Sequence, residues 1–329
     1  MGEEMKVRKK KVSQIRFSSK YWDLQRDGVS PSGILQWLND REVFRLNYVE
    51  GWYYNKLNTY IEFGNIFHHL HEKIAGDKRV FNHRKIVREY VTTWIKDHPL
   101  ATPADKKELE LKAEMVLTML PTYLKYKGIH TAKNWWSIED RYTKPIEIHP
   151  GIEIPVHGML DGLYGDKRKR NWLYDMKNKG KFNLEKIEET LLLDIQMMLY
   201  AVLAEYAGYP VFGIDYDVVR IPTLQKRVTE STKEFCKRLQ TDVEKRPSHY
   251  FHDVLVEVPA GWVKEWEEKT LKPILKDMYR WATGNGYHYS SGKEALLPRN
   301  YGSSFYDLIV TGKTTGYIKQ SPFTHHKEK

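Results

Sequence analysis

The sequence predicts an α/β protein: a core of mixed strands flanked by helices, with a mainly helical N-terminal portion. Two features carry this prediction. Through most of residues 13–134 apolar side chains recur at three- and four-residue spacing, the period of a helix with one buried face. From Trp135 onward, short β-branched and aromatic runs bounded by Gly, Pro and Asn alternate with further helical stretches, as when a sheet and its covering helices share one core.

The elements follow in order. Residues 1–12, with the run Lys6-Val7-Arg8-Lys9-Lys10-Lys11, read as a solvated basic arm. Ser30-Pro31-Ser32 offers a capping hydroxyl and an early proline, and Leu35, Leu38 and Phe44 extend an apolar stripe to about Tyr48, which predicts one helix. Helices are expected over 61–74, 83–97 and 105–126, the last with Leu109, Ala113, Val116, Leu117 and Leu120 at helical spacing. Ser137 to Ile148, Ile152 to Tyr164 and Trp172 to Lys177 read as strands, the second and third joined by the polar turn 165–171. One long helix over about 184–207 is expected to end at Gly208 and Pro210. A strand over 212–221, a helix over 229–245, a strand over 250–258 and a helix over 261–283 complete the series, and the tail from Gly284 is poorly periodic. No linker interrupts them, so 1–329 reads as a single domain: basic arm 1–12, helical portion 13–134, α/β core 135–283 and tail 284–329.

Composition narrows the class of partner. The chain has 53 basic and 43 acidic residues, a net charge of +10, which favours polyanions because neutralised phosphates release condensed counterions. Cys236 is the only cysteine, which excludes an intramolecular disulfide, a cysteine-rich zinc site and a four-cysteine iron–sulfur cluster. With no apolar run long enough to span a bilayer and no signal peptide at the start, no membrane partner and a cytoplasmic setting are expected.

The chemistry concentrates on two adjacent strands. His157-Gly158-Met159-Leu160-Asp161 ends near one carboxylate, and Trp172-Leu173-Tyr174-Asp175-Met176-Lys177 carries a second. A short turn makes such strands antiparallel neighbours, and the two-residue spacing puts Asp175 and Lys177 on one face. Carboxylates gathered this way among apolar neighbours need a compensating cation, and a hard, oxygen-seeking ion such as Mg²⁺ suits them. Taken alone, a D-x-K pair reads first as a structural ion pair, and His68 as a buried, hydrogen-bonded helix histidine.

The ordered set is more specific than its parts. Gly64-Asn65-Ile66-Phe67-His68, then Gly158 to Asp161, then Asp175 to Lys177, then Gln196-Met197-Met198-Leu199-Tyr200 resembles the RecB-type nucleases of the PD-(D/E)XK superfamily. The opening Ser32-Gly33-Ile34-Leu35-Gln36-Trp37-Leu38 is similar to the family's start, and the resemblance spans roughly residues 30 to 220. It implies a restriction-endonuclease-like core and a stand-alone, Mg²⁺- or Mn²⁺-dependent DNA exonuclease, of bacterial or phage type and serving recombination or repair. It implies Asp161, Asp175 and Lys177 as catalytic residues; His68, Asp161, Asp175 and the backbone carbonyl of Met176 as metal ligands; and Gln196 and Tyr200 as DNA contacts, with Lys179 and Lys181 on a basic rim. Beside two carboxylates Lys177 is expected to stay an ammonium that orients water and neutralises developing charge. DNA ends or single strands are the expected substrate, with a single-strand annealing protein or a helicase as partner in a bacterial or phage-infected cell. Many relatives hold an iron–sulfur cluster on four cysteines, which this chain lacks. The alternatives are a structure-selective or restriction-type endonuclease on the same core, and a non-catalytic DNA-binding relative.

Overall fold

A computed structural model describes residues 17–54, 59–76, 82–127, 133–289 and 305–322. The basic arm expected over 1–12 lies outside them. The described residues divide into two compact units, one drawn from Met1–Asn55, Pro145–Val156 and Glu268–Lys329, the other from Lys56–Lys144 and His157–Glu267. No helix among the described residues is long and apolar enough to cross a membrane.

In the first unit the helix α1, Pro31–Asn39, starts where the sequence places it, with the Ser30 hydroxyl accepting from the Gly33 amide at 3.3 Å. It stops earlier than the apolar stripe suggests. The Asp40 carboxylate accepts from the amides of Glu42 and Val43, so it caps a new short helix, Arg41–Phe44, and breaks the one expected to run to Tyr48. The strand β1, Trp52–Tyr54, pairs antiparallel with a strand near the C-terminus, Tyr317–Lys319, although neither stretch has a readable period.

The second unit holds the larger core. Its helices α2 (Glu62–Gly76), α3 (His83–Asp97) and α4 (Pro103–Lys127) match the three helical stretches expected before Trp135. The strands β2 (Asn134–His149) and β3 (Ile152–Gly165), of which the stretch Pro145–Val156 belongs to the first unit, and β4 (Asn171–Lys179) follow. Next come α5 (Leu184–Thr190), α6 (Ile195–Tyr206), β5 (Val211–Arg220), α7 (Thr232–Lys245) and β6 (Phe251–Glu257). One sheet of five strands runs in the order β2-β3-β4-β5-β6, with β3–β4 and β5–β6 antiparallel and β4–β5 parallel. A parallel pair needs a crossover, and α5 with α6 supplies it. The mixed α/β class read from the sequence is the one observed.

The long helix expected over 184–207 is two. Asp194 accepts from the amides of Gln196 and Met197, satisfying the first turn of α6 and ending the helical path from α5. From Met197 to Ala204 every residue of α6 is buried, so the helix is covered all round, with β4 and β5 among its neighbours.

On the opposite face, Trp172, Tyr174 and Met176 of β4 join a core with Phe67 of α2 and Tyr123 of α4. That core contains a polar network. Asp217, with no exposed surface, accepts from the Tyr123 hydroxyl at 2.6 Å, the Tyr174 hydroxyl at 2.8 Å and the Lys127 ammonium at 2.6 Å. Asp215 accepts from the Tyr164 hydroxyl at 2.8 Å and from Lys133. These bonds tie α4 and the sheet together at a position where an unpaired charge is costly. Asp217→Ala strips Lys127 and two buried hydroxyls of their shared acceptor, so it is expected to lower unfolding stability by about 3 kcal/mol or more. Denaturant unfolding checks this, and an unchanged midpoint would contradict it.

Candidate functional site

The site forms where two strands part. The β3–β4 ladder runs from Gly165↔Asn171 to Gly162↔Tyr174, and one step further stand Asp161 and Asp175. Here a side chain takes over from the backbone: the Met176 amide donates to Asp161 Oδ2 at 2.9 Å. The bond fixes the Asp161 carboxylate against the strand that carries Asp175 and Lys177.

Asp175 has no exposed surface. The Lys177 ammonium donates to its Oδ1 at 2.9 Å and lies 2.8 Å from Oδ2, which nevertheless lacks a partner in hydrogen-bond geometry. Burial pushes the Asp175 carboxyl up to about 7, against the pull of Lys177 and with the added push of Asp161. Burial also works against the Lys177 charge, but Asp175 and Asp161 outweigh it and raise the Lys177 pKa, so it stays an ammonium.

From α2, His68 Nδ1 approaches Asp161 Oδ2 to 3.5 Å and Glu139 Oε1 to 3.9 Å. Burial disfavours the charged ring, but Glu139 and Asp161 more than offset this and raise the His68 pKa. One ligand atom from each of His68, Glu139 and Asp161 lies within 4.8 Å of the other two. His69 and His71 are not part of this group, although His69 lines the same cleft. His69 Nδ1 lies 3.6 Å from Glu72, and the buried His71 ring stacks on Tyr174 with centroids 4.9 Å apart.

The donor set fits a hard divalent ion. An octahedral ion with ligands at about 2.1 Å keeps neighbouring ligand atoms roughly 3 Å apart and opposite ones roughly 4.2 Å apart. The separations of 3.5 and 3.9 Å from the ring nitrogen are within the roughly 4.2 Å that one such ion can span, so a single ion can reach both pairs after small shifts of the side chains. Three carboxylates, Glu139, Asp161 and Asp175, converge here with the cation of Lys177, and an oxygen of the buried Asp175 keeps an unused lone pair. Asp175 stands beside the three-residue cluster, paired with Lys177, and is not one of its members.

Of the remaining residues picked out from the sequence, Gln196 and Tyr200 stand beside this point. Gln196 Nε2 donates to the Tyr200 hydroxyl at 3.0 Å, one turn along α6. The Tyr200 ring packs so closely on Gly158 that a Cβ there would fall 2.6 Å from it, which accounts for glycine three residues before Asp161. At Gly64 a Cβ would meet Asn178 at 3.5 Å, an ordinary van der Waals contact, so packing does not require glycine there. Lys179 follows Lys177 on the same face of β4, with its ammonium 5.9 Å from the Tyr216 ring centre, and Lys181 is exposed beyond the strand. A cleft of about 350 Å³ opens over the group, lined by Asn65, His68, Glu139, Met159 and Asp161 among others.

Glu139 escaped the sequence reading. Glu139 and Asp140 are adjacent acids in a predicted strand, and nothing in the motif set favours one over the other. Only the folded β2 shows that Glu139 turns inward while Asp140 is exposed.

No curated protein sequence matches the chain. The sequence profile described as the PD-(D/E)XK nuclease superfamily matches residues 29–280, a span that contains both parted strands and every side chain named above. Members of that superfamily use divalent metal ions, as the gathered carboxylates lead one to expect. The chain belongs to the PD-(D/E)XK nuclease superfamily and is a metal-dependent nuclease.

Proposed function

We propose that this nuclease is a RecB-type exonuclease hydrolysing DNA phosphodiester bonds at ends or in single strands, with Asp161, Asp175 and Lys177 as its catalytic residues. The observation that carries this reading is the convergence of four separate sequence elements on the gap between β3 and β4. His68 comes from α2, Asp161 from β3, Asp175 and Lys177 from β4, and the Gln196–Tyr200 pair from α6. Recombination or repair in a bacterial or phage-infected cell, alongside an annealing protein or a helicase, is the setting this reading suggests.

His68, Asp161, Asp175 and the Met176 carbonyl would hold Mg²⁺ or Mn²⁺, the nitrogen donor making Mn²⁺ the better accepted of the two. A divalent ion bound there supplies Lewis acidity, lowering the pKa of water and countering charge on the phosphoryl group. The protein's own residues supply position and charge. The Met176 amide fixes Asp161, and Lys177 is held by Asp175 with its ammonium directed at the same point. In the reaction Lys177 orients the attacking water and stabilises charge that appears on the phosphorus oxygens in the transition state. Gln196 and Tyr200 contact the DNA strand beside the scissile bond, and Lys179 and Lys181 hold flanking phosphates.

Mg²⁺ or Mn²⁺ is expected to be required for digestion of end-labelled DNA, with the label released from the end inward. Undiminished cleavage in excess chelator would falsify the metal-dependent site, and internal cuts in covalently closed circles would contradict an exonuclease. The two kinds of catalytic residue separate in a second test. Asp161→Asn and Asp175→Asn are expected to weaken Mn²⁺ binding and abolish cleavage. Lys177→Ala is expected to bind Mn²⁺ and DNA nearly as the wild type does, with single-turnover cleavage slower by roughly 100-fold or more. A Lys177→Ala protein cleaving at the wild-type rate would remove that residue from the chemistry. DNA affinity measured against salt concentration is expected to fall steeply, because lysine and arginine contacts to phosphate dominate it. A flat dependence would mean that the net charge of +10 plays no part in capture.

A further inference from the structure

We propose that Glu139 is a ligand of the divalent ion, sharing it with His68 and Asp161; the inference rests on the metal site proposed above. Glu139 belongs to neither strand of the D…D-x-K pair. It comes from β2, at the end of the sheet, next to β3. Its Oε1 nevertheless lies 3.9 Å from His68 Nδ1, and its ligand atom falls within the 4.8 Å group that includes Asp161. Its side chain is 14% exposed and that of Asp161 13%, so both carboxylates sit at the same depth in the cleft.

The backbone explains how a residue on the outer strand reaches that point. Along β2 the more buried positions are Trp135, Ser137, Ile138 and Glu139, then Tyr142, Lys144, Ile146 and Ile148: the alternation that starts on odd numbers is broken at 138–141 and resumes on even ones. The change of phase marks an irregularity of one residue, and Glu139 stands at it with φ of 51°. An L-residue accepts this left-handed geometry inside a strand only where its surroundings impose it, and such positions cluster at ligand sites. Glycine would serve the backbone better. A carboxylate occupies the position instead, aimed at a second carboxylate and a histidine. Two acids so placed repel until a cation joins them, and a mixed oxygen and nitrogen set suits Mn²⁺.

The test is calorimetric titration of the full chain with Mn²⁺ alone, on wild type, Glu139→Gln, Glu139→Gly and Asp161→Asn, with thermal unfolding of each in chelator. Both Glu139 variants are expected to bind Mn²⁺ at least about tenfold more weakly, the scale of loss known for groups around a metal. Their metal-free melting temperatures are expected to stay level or rise, because a repelling carboxylate is gone and glycine relieves φ. If both bind with wild-type affinity while Asp161→Asn loses binding, Glu139 is no ligand and the metal site itself stands. If Asp161→Asn also binds as the wild type does, the metal site falls and this inference with it. If neither Glu139 variant folds, the carboxylate is structural and the proposal is overturned.

Discussion

A carboxylate with no exposed surface must be compensated, and the geometry of the second unit follows from how Asp175 is compensated. Lys177, two residues along β4, reaches it because strand alternation sends both side chains to one face. The same alternation sends Tyr174 and Met176 into the apolar core on the other face, so the ion pair and the core anchor each other through one strand. Asp161 then approaches without a cation of its own, held by a backbone amide that the parting of β3 from β4 leaves free of the ladder. What remains is a pocket of negative charge whose natural complement is a divalent ion.

The two faces of the sheet handle buried acids in opposite ways. On the core face Asp217 takes two tyrosine hydroxyls and Lys127, and Asp215 takes Tyr164 and Lys133. Those carboxylates are met by cations and hydroxyls of the chain itself, and they bind elements together. On the site face Glu139, Asp161 and Asp175 meet Lys177, a histidine and one amide. A protein that meets its acids with its own cations and hydroxyls on one side of a sheet, and gathers three around a single lysine on the other, has a site suited to a cationic ligand.

The sheet and its neighbours were legible because they obey local periods. Helix α3 spans the His83–Asp97 stretch that apolar spacing marks, and Trp172 to Lys177 lies within β4. The positions of Asp175 and Lys177 on one face needed only the spacing of two. The helix breaks at Asp40 and Asp194 were missed because a capping carboxylate interrupts the backbone without interrupting the apolar pattern. The pairing of Trp52–Tyr54 with Tyr317–Lys319 joins segments more than 250 residues apart, and so leaves no local trace. Glu139 was hidden for a related reason: which of two adjacent acids points inward depends on a one-residue change of phase that only the folded strand reveals.

The central claim is that the gap between β3 and β4 holds a divalent ion on side chains from α2, β3 and β4. Anomalous diffraction from crystals grown with Mn²⁺ measures this directly. The account predicts one strong peak within about 2.5 Å of His68 Nδ1 and of a carboxylate oxygen from each of Asp161 and Asp175. A peak elsewhere, or none there at saturating Mn²⁺, would contradict it.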